Sequence, residues 1–245
     1  MRRASAGRSE PARRRGALRT LGGRIRTIVL RILLAALLVP PALLLVYRFL
    51  PPPVTPLMLI RLGQGEALHK EWQPLADIAP TLAAAVVAAE DNRFCEHWGF
   101  DWQALKGEIA AWRAGEHARG ASTITMQTAK NLFLWPDRSL LRKVLEAPLT
   151  PQIEVLWPKR RIIEVYRNIV EFGPGIYGAE AAAQSYFDKP AADLTNREAA
   201  LLAAVLPSPR TSSPARPSEW LESRARTIRT RMAQLGPMLE CVRAG

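Results

Sequence analysis

Apolar residues recur at helical spacing along most of the chain. Residues 81–90 form an alanine- and valine-rich run, and Trp102, Leu105, Ile109 and Trp112, here called the tryptophan stripe, follow at steps of three and four. Further helical runs cover residues 159–170, 179–187 and 195–206. The sequence has neither an internal repeat nor a series of alternating strands. This pattern predicts an all-α domain of many short helices with long functional loops.

Capping and turn residues mark the ends of these helices. Thr195 and Glu198 have capping-box spacing at the start of the last run, and Pro207 closes it. The glycines of "FGPGIYG", residues 172–178, predict a loop after an earlier helix. Near the start of the domain, "MLIRLGQGEAL" at residues 58–68 predicts a short strand or a hairpin.

One stretch is long and apolar enough to cross a membrane. Residues 28–50 match one helix through ~30 Å of hydrocarbon. The side chain of Arg31 can reach the membrane interface, and the Pro40-Pro41 pair is tolerated in membrane helices. A cleaved signal peptide is the alternative, but a stiff proline-rich linker at residues 51–56 follows instead of a small-residue cleavage site. We therefore expect a retained anchor.

Positive charge is concentrated before this stretch. The chain carries +12, and residues 1–31, with ten arginines and the single acid Glu10, contribute +9 of it. The positive-inside rule then predicts a single-pass membrane protein with residues 1–27 in the cytoplasm and the following domain outside it. Only +3 remains on residues 32–245, which disfavours nucleic-acid binding. The expected divisions are a cytoplasmic arginine-rich tail at residues 1–27, an anchor at 28–50, a linker and lead-in at 51–70 and a globular domain at 71–245.

The two cysteines leave two alternatives open. Cys95 and Cys241 are able to form a disulfide in an oxidising periplasm, or each can remain a free thiol. Their spacing in the sequence does not decide between the two.

The first candidate for chemistry lies where the run at residues 81–90 ends, in "AAEDNRFCEHWGFD". A carboxylate at the end of an apolar helix is partly desolvated, and desolvation makes it a better proton acceptor than a surface acid. Glu90 is therefore the candidate general base. The alternative is a capped helix end in which Asp91, Arg93 and His97 form a local salt-bridge network.

The second candidate is "GASTITMQTAKNLF", residues 120–133. The hydroxyls of Ser122 and Thr123, with the free backbone N–H groups of a helix start, suit an anionic oxygen. Gln127 and Lys130 project from the turns that follow. A plain serine-capped helix is the alternative, and a helix-turn-helix unit is disfavoured by the low charge of the domain.

A cluster of charges follows in "DRSLLRKVLEAPL". Arg142 and Glu146 are four residues apart and share one helical face, and Arg138 and Lys143 lie beside them. Cations around one acid, close to Lys130 in the sequence, suit a diphosphate. The alternative is an ordinary surface ion pair.

In their order and spacing, and with "KRRIIEVYRNIVEFGPGIYGAEAAAQSYF" after them, these segments resemble the glycosyltransferase domain of peptidoglycan polymerases. Bifunctional penicillin-binding proteins share this domain. The chain lacks the S-x-x-K, S-x-N and K-T-G motifs of a transpeptidase, and so it looks like a monofunctional, membrane-anchored member. The resemblance implies a mainly α, lysozyme-like fold that polymerises lipid II into linear glycan strands. It also implies contact with the membrane and with other cell-wall synthesis or division proteins.

The resemblance assigns a role to each matching residue. Glu90 matches the catalytic base, and Glu146 matches the second essential glutamate. The implied substrate-binding residues, which include the cations for the diphosphate, are Ser122, Thr123, Gln127, Lys130, Arg138, Arg142, Lys143 and Asn168.

Four residues depart from the family pattern. Met126 stands where glutamine is common, and Arg167 stands where leucine is usual. Pro148 and Pro151 are expected to interrupt the helix that would run past Glu146. None of these departures removes a charge that the chemistry needs.

The chemistry of the residues agrees with this implied activity. A sugar activated as a diphosphate carries a good leaving group, so it needs cations for the departing charge and a base for the acceptor hydroxyl. With one base on the opposite face, the α-linked donor is expected to give a β-1,4 product by inversion. No cofactor is required, a divalent cation such as Mg²⁺ at the diphosphate is left open, and no nucleotide-binding motif is present.

Two other functions remain as alternatives. A lytic enzyme on a similar fold would cleave glycan, and a non-catalytic cell-wall scaffold would keep the fold alone. The cations around Arg142 favour the polymerase, because a glycan-cleaving enzyme has no diphosphate to neutralise.

The tryptophan stripe has two interpretations. It is either the buried face of a core helix or a surface that enters the outer leaflet, where tryptophan and the nearby Lys106, Arg113 and Arg119 suit a membrane interface. In the resembling family the segment between these motifs is close to the membrane. The stripe is therefore predicted to guide the lipid tail of the substrate.

Overall fold

The computed structural model describes residues 10–115, 120–137 and 139–242 of the chain. Two compact units divide it, Met1–Leu43 and Leu44–Gly245. The finer predicted division at residues 27, 50 and 70 stays a prediction.

A single long helix, α1 (Glu10–Tyr47), forms the described part of the first unit and ends just inside the second. Its stretch Arg26–Tyr47 is long and apolar enough to cross a membrane, as the hydropathy of residues 28–50 predicts. The helix ends at Tyr47, and residues 51–53 shortly after it are all proline.

The second unit is predominantly helical, which confirms the mainly α prediction. The α-helices are α2 (Pro56–Gly63), α3 (Pro80–Glu90), α4 (Trp102–Arg113), α5 (Ile124–Phe133), α6 (Leu140–Leu156), α7 (Lys159–Ile169), α8 (Ala179–Phe187), α9 (Asn196–Val205) and α10 (Glu219–Leu235). Short 3₁₀ helices cover Leu75–Asp77, Ala191–Asp193 and Gly236–Val242. The capping box of Thr195 and Glu198 is present at the start of α9, as the sequence predicts.

The lead-in at residues 58–68 is mostly helical, so the predicted strand or hairpin is wrong. Thr55 caps α2 by accepting a hydrogen bond from the Met58 backbone N–H, and Pro56 occupies the first turn, where its missing N–H costs nothing. Leu57 and Met58 are buried, and this apolar contact stabilises so short a helix.

A small sheet stands where the sequence predicts only loops. Strands β1 (His69–Lys70), β2 (Glu171–Gly173) and β3 (Ile176–Tyr177) lie in the order β1-β3-β2. The turn between β2 and β3 needs Gly175, which has φ +72° and whose Cβ would lie 2.4 Å from the Ala67 carbonyl oxygen. The glycines of this segment therefore permit close packing of backbone on backbone.

Helix α6 runs through both Pro148 and Pro151, so the predicted interruption is also wrong. Each proline lacks the N–H that would bond the carbonyl four residues earlier, on Val144 and Ala147. Both of those residues are exposed, so water can satisfy the freed carbonyls. Glu146 therefore lies on a continuous helix.

The core forms around α3. This helix packs against α9 and α10, and α5 packs against α6 and α7. Alanines and valines fill most of α3 and α9, and small side chains allow the two helices to pack closely. The buried α3 therefore gives a fixed position to its last residue, Glu90.

A disulfide joins Cys95 to Cys241, with the two Cα atoms 5.7 Å apart. Cys95 lies in the loop after α3, and Cys241 lies in the 3₁₀ helix Gly236–Val242. The bond thus fastens the 3₁₀ helix to the segment that follows Glu90, across 146 positions of sequence.

The start of the second unit is part of its core. Leu44 is fully buried, and its carbonyl accepts a hydrogen bond of 2.7 Å from the Trp157 indole. The guanidinium of Arg161 donates to the carbonyls of Tyr47, at 2.7 and 2.9 Å, and of Leu50, at 2.7 Å. Residues 44–50 therefore support α6 and α7.

These contacts predict different outcomes for two truncations. Removing residues 1–43 should leave the stability of the second unit unchanged, whereas removing residues 1–50 takes Leu44 from the core and leaves the buried Trp157 N–H without its acceptor. The longer truncation should lower the free energy of unfolding by about 2 kcal/mol or more, or the melting temperature by roughly 4–8 °C. Circular dichroism melts measure the difference, and equal melting temperatures would contradict the prediction.

Candidate active site

A cleft with a volume of about 740 Å³ opens where α3 ends. Its walls come from the end of α3, the loop before α5, α5 itself and α10. The residues that line it are Ala89, Glu90, Asp91, Asn92, Gly120, Ser122, Gln127, Pro207, Arg224 and Arg231.

Two neighbouring side chains orient Glu90. The Gln127 amide donates a hydrogen bond of 2.8 Å to Glu90 Oε2, and the Gln127 carbonyl oxygen accepts one of 2.9 Å from the Tyr166 hydroxyl. Tyr166 is fully buried, so it holds the Gln127 amide in one orientation. Sequence reasoning identified Glu90 and Gln127 but not Tyr166.

The surroundings of Glu90 suit a proton acceptor. Its side chain is only 14% exposed, and burial raises the pKa of Glu90. The hydrogen bond from Gln127 and the charges of Arg224 and Lys130 oppose this rise in pKa. Glu90 is thus a stronger base than a solvated carboxylate, and nearby cations still favour its charged form.

Two arginines of α10 reach the same cleft, and sequence reasoning missed both. Arg224 Nη2 lies 3.8 Å from Glu90 Oε1, and its guanidinium stacks on the Trp220 ring with 6.0 Å to the ring centroid. Arg231 lines the cleft seven residues later, on the same face of the helix. Their spacing is visible in the sequence, but α10 carries two other arginines, Arg226 and Arg229, and only the fold selects Arg224 and Arg231.

A cluster of cations surrounds the buried Glu146, which is 2% exposed. Lys143 Nζ lies 2.5 Å from Glu146 Oε1, and Arg142 Nη1 contacts Glu146 Oε2. Arg142 also donates to the Asp137 carbonyl at 2.6 Å. This pair is not an ordinary surface ion pair, because the acid is buried.

Lys130 connects this cluster to the cleft. Burial and then the charges of Arg142 and Lys143 lower the pKa of Lys130, while the charges of Glu146 and Glu90 raise it. One ammonium group therefore interacts with both glutamates that the sequence identified.

Ser122 and Thr123 have different surroundings. Ser122 is exposed in the cleft wall, and its hydroxyl lies 3.4 Å from Lys143 Nζ. Thr123 is buried; its hydroxyl donates to the Gly99 carbonyl at 2.6 Å and accepts from the Met126 N–H at 3.1 Å. Thr123 therefore caps α5, and its assignment to substrate binding stays a prediction.

Asn168 is fully buried, away from the residues that line the cleft. Its side chain accepts a hydrogen bond from the Gln73 N–H at 2.9 Å and donates to the carbonyls of Gln73 and Glu164 at 2.8 and 2.9 Å. Asn168 thus fastens α7 to the segment before α3, and its assignment to substrate binding stays a prediction. The predicted site residue Arg138, like Arg119 near the tryptophan stripe, lies outside the described residues.

The other charged residues after α3 pair with one another. Asp91 Oδ1 lies 2.9 Å from His97 Nε2, and Asp91 Oδ2 accepts a hydrogen bond of 3.0 Å from the Ile124 N–H at the start of α5. Arg93 lies 2.7 Å from Glu96. Asp91 pairs with His97 and Arg93 pairs with Glu96, so the predicted single network of Asp91, Arg93 and His97 is two separate pairs, and neither pair includes Glu90.

The acids near the cleft do not fit a metal site built by the protein. Within the described ranges, no group of three His, Cys, Asp or Glu side chains lies close enough to bind a metal ion. Asp91 is bonded to His97, and Glu146 is bonded to Arg142 and Lys143.

The tryptophan stripe lies on the surface, so the core interpretation is wrong. No residue of α4 is buried, and Trp102 and Trp112 are 62% and 72% exposed. A second exposed apolar set, Leu140, Leu141 and Val144, covers the start of α6. Contiguous exposed apolar surface marks a contact with a partner or a membrane.

Comparison with known proteins places this chain among its relatives. The family model described as Transglycosylase matches residues 58–233, a range that contains every residue lining the cleft. A protein of Rhodospirillum centenum named biosynthetic peptidoglycan transglycosylase is 57% identical over 206 residues, which cover 82% of this chain and 89% of that protein.

Two further relatives carry the same name. The Caulobacter vibrioides protein is 49% identical over 212 residues, covering 85% of this chain and 93% of its own length. The Bdellovibrio bacteriovorus protein is 50% identical over 199 residues, covering 79% of this chain and 80% of its own length.

The contact of Arg224 with Glu90 predicts a change in the pKa of that carboxyl. Replacing Arg224 with Met removes a charge that lowers the pKa of Glu90, so the pKa should rise further and less Glu90 should be ionised at a given acidic pH. NMR titration of ¹³C-labelled glutamate side chains measures it. Arg226→Met, on another face of α10, is the control, and an unchanged Glu90 pKa in Arg224→Met would contradict the prediction.

Proposed function

This chain belongs to the transglycosylase family, and we propose that it polymerises lipid II into linear β-1,4 glycan strands. The observation that carries the proposal is a buried Glu90 held by Gln127 at one cleft, together with the cations paired with Glu146. One side of such a site accepts a proton, and the other side receives a departing diphosphate.

Glu90 is the proposed general base. The acceptor sugar loses its hydroxyl proton to Glu90 while its oxygen forms a bond to C1 of the donor. Gln127 holds Oε2 of Glu90 by a hydrogen bond of 2.8 Å. Arg224 keeps the carboxylate charged before the proton arrives, because its cation lowers the pKa of Glu90.

The cations are proposed to receive the leaving group. The bond between C1 and the diphosphate oxygen breaks, and its electron pair leaves with undecaprenyl diphosphate. Lys130, Arg142 and Lys143 supply positive charge for that step, and the guanidinium of Arg142 suits two phosphate oxygens. Attack opposite the leaving group inverts C1 from the α to the β configuration.

Glu146 is proposed to position these cations. Both of its carboxylate oxygens are engaged, one by Arg142 and one by Lys143. A buried carboxylate that pairs with two long side chains restricts them before the substrate binds. Less conformational entropy is then lost when these side chains bind the diphosphate. No catalytic step is assigned to a metal ion, because the carboxylates that would bind one are already paired within the protein.

Family membership and the cation cluster weigh against the two alternatives. A lytic enzyme has no diphosphate to neutralise, and a scaffold has no use for a desolvated carboxylate in an open cleft. Full-length protein incubated with labelled lipid II separates the three functions on a gel. Long products support the polymerase, whereas cleavage of added glycan strands, or no turnover at all, would reject it.

The membrane has a proposed role as well. Arg26–Tyr47 is long and apolar enough to span it, and the arginine-rich residues before it support a cytoplasmic tail and a periplasmic catalytic domain. The polyprenyl tail of lipid II stays in the bilayer, so the cleft has to work beside it. The exposed tryptophan stripe is proposed to contact the outer leaflet there.

The role of Glu90 predicts the effect of one substitution. Glu90→Gln keeps the shape of the side chain and removes the proton acceptor, so polymerisation of lipid II should fall by roughly 10² or more while lipid II binding persists. Glu96→Gln, at an exposed position six residues later, is the matched control and should keep full activity. Normal turnover by Glu90→Gln would show that Glu90 is not the general base.

The exposure of the tryptophan stripe predicts a membrane-binding defect without a stability defect. Replacing Trp102 and Trp112 with Ser in the protein without residues 1–43 should weaken liposome binding roughly tenfold, because partial burial of two indoles is worth about 1.4 kcal/mol. The melting temperature should not change, since both side chains are exposed. Flotation assays measure binding, and the same loss in a Trp220→Ser control would contradict a specific role for the stripe.

A further inference from the structure

A second cavity, with a volume of about 960 Å³, lies apart from the cleft. Its walls come from the first half of α3, from α7, from α10 and from the 3₁₀ helix Gly236–Val242. Its lining includes Leu75, Ile78, Ala84, Arg167, Met232 and Leu239.

Helices α3 and α10 separate the two cavities. On α10, Arg224 and Arg231 line the cleft, whereas Arg226 and Arg229 line the second cavity from another face. On α3, the last turn with Glu90 borders the cleft, and the first two turns border the second cavity. The second cavity therefore has no part in the proposed polymerisation step.

Arg167 lies in the wall of this cavity and is fully buried. Across the described part of the chain, none of its three guanidinium nitrogens has a hydrogen-bond partner. Glu164 is one turn away, but its carboxylate is bonded to Arg161 at 2.8 Å and to the Leu75 N–H at 3.2 Å. A buried guanidinium with five N–H donors is left without an acceptor.

This arginine keeps its charge at neutral pH. Burial lowers the pKa of Arg167 to about 10, which still leaves it protonated. A buried cation without a direct partner is unfavourable, and the usual remedy is an anion in direct contact. The charge of Glu164 acts on Arg167 from a distance, but no described residue accepts a hydrogen bond from the guanidinium, and a ligand in the cavity could supply that direct partner.

The other residues that line the cavity indicate the chemical character of the rest of the ligand. Leu75, Ile78, Met232 and Leu239 are apolar, and none of the described lining residues is acidic. Arg226 and Arg229 are exposed and lie at the same cavity. The site thus combines one deep positive charge with apolar walls, as expected for a molecule that has an anionic head and an apolar body.

We propose that this cavity is a binding site for a monoanionic amphiphile, whose carboxylate or phosphate pairs with Arg167 and whose acyl chain packs against Leu75, Ile78 and Met232. The geometry of the guanidinium matches two oxygens of either head group. A free fatty acid and a lysophospholipid of the membrane share this chemistry. The proposal is independent of the proposed polymerase activity, because it concerns residues outside the cleft.

The test uses the full-length protein in nanodiscs of phosphatidylcholine and a decanoate probe that carries a diazirine in its chain. After irradiation, peptide mapping should find saturable labelling within residues 75–84 and 226–242. Arg167→Leu should reduce that labelling at least about tenfold, because it removes the charge-assisted hydrogen bonds. Arg160→Leu, at an exposed position on the same helix, should leave it within about twofold.

Two further arms keep the test decisive. A decanol probe without charge should label these peptides at least about tenfold less than decanoate, and a decyl phosphate probe shows which head group is preferred. Ala84→Trp fills the cavity and keeps Arg167, so it should abolish labelling even if Arg167→Leu proves unstable in a thermal melt. Equal labelling of Arg167→Leu and the unmodified protein, labelling only elsewhere, or equal labelling by decanol would overturn the proposal.

Discussion

The burial of the Glu90 carboxylate at the end of α3 is the constraint on which the rest of this site depends. Desolvation of a charge is unfavourable, and the fold offsets it with a hydrogen bond from Gln127 and with the charges of Arg224 and Lys130. Those groups come from α5 and α10. Helix α10 packs against α3, and the Gln127 side chain of α5 reaches the carboxylate of Glu90. The packing of these helices therefore sets both the charge state and the proposed chemistry of Glu90.

Other buried charges in this domain follow the same rule. Glu146 is paired with Arg142 and Lys143, and Glu154 accepts from Lys159 at 2.7 Å. Such pairs contribute little net stability, but they give each cation one position, and a diphosphate site needs fixed cations. Arg167 is the contrasting case, since its guanidinium has no hydrogen-bond partner among the described residues and the residue lies in the wall of a cavity large enough for a ligand.

Helix α10 lines both cavities, and the 3₁₀ helix Gly236–Val242 lines the second one. One face of α10 supplies Arg224 to the cleft, and another supplies Arg226 to the second cavity. The Cys95–Cys241 disulfide then ties this last segment to the loop after α3. A ligand in the second cavity would therefore contact elements that are covalently and sterically linked to the segment bearing Glu90.

Local patterns in the sequence predicted several of the helices, the apolar span and Glu90 as the candidate base, because periodicity, capping residues and a carboxylate after an apolar run act over a few neighbouring positions. The tertiary structure alone decided the exposure of the tryptophan stripe, the pairing of Cys95 with Cys241 and the placement of Arg224 beside Glu90. It also decided that Asn168 is buried and joins α7 to the segment before α3 by hydrogen bonds, and that α6 continues through its prolines. Each of these depends on which distant segments pack together, and the spacing of residues along one chain carries no record of that.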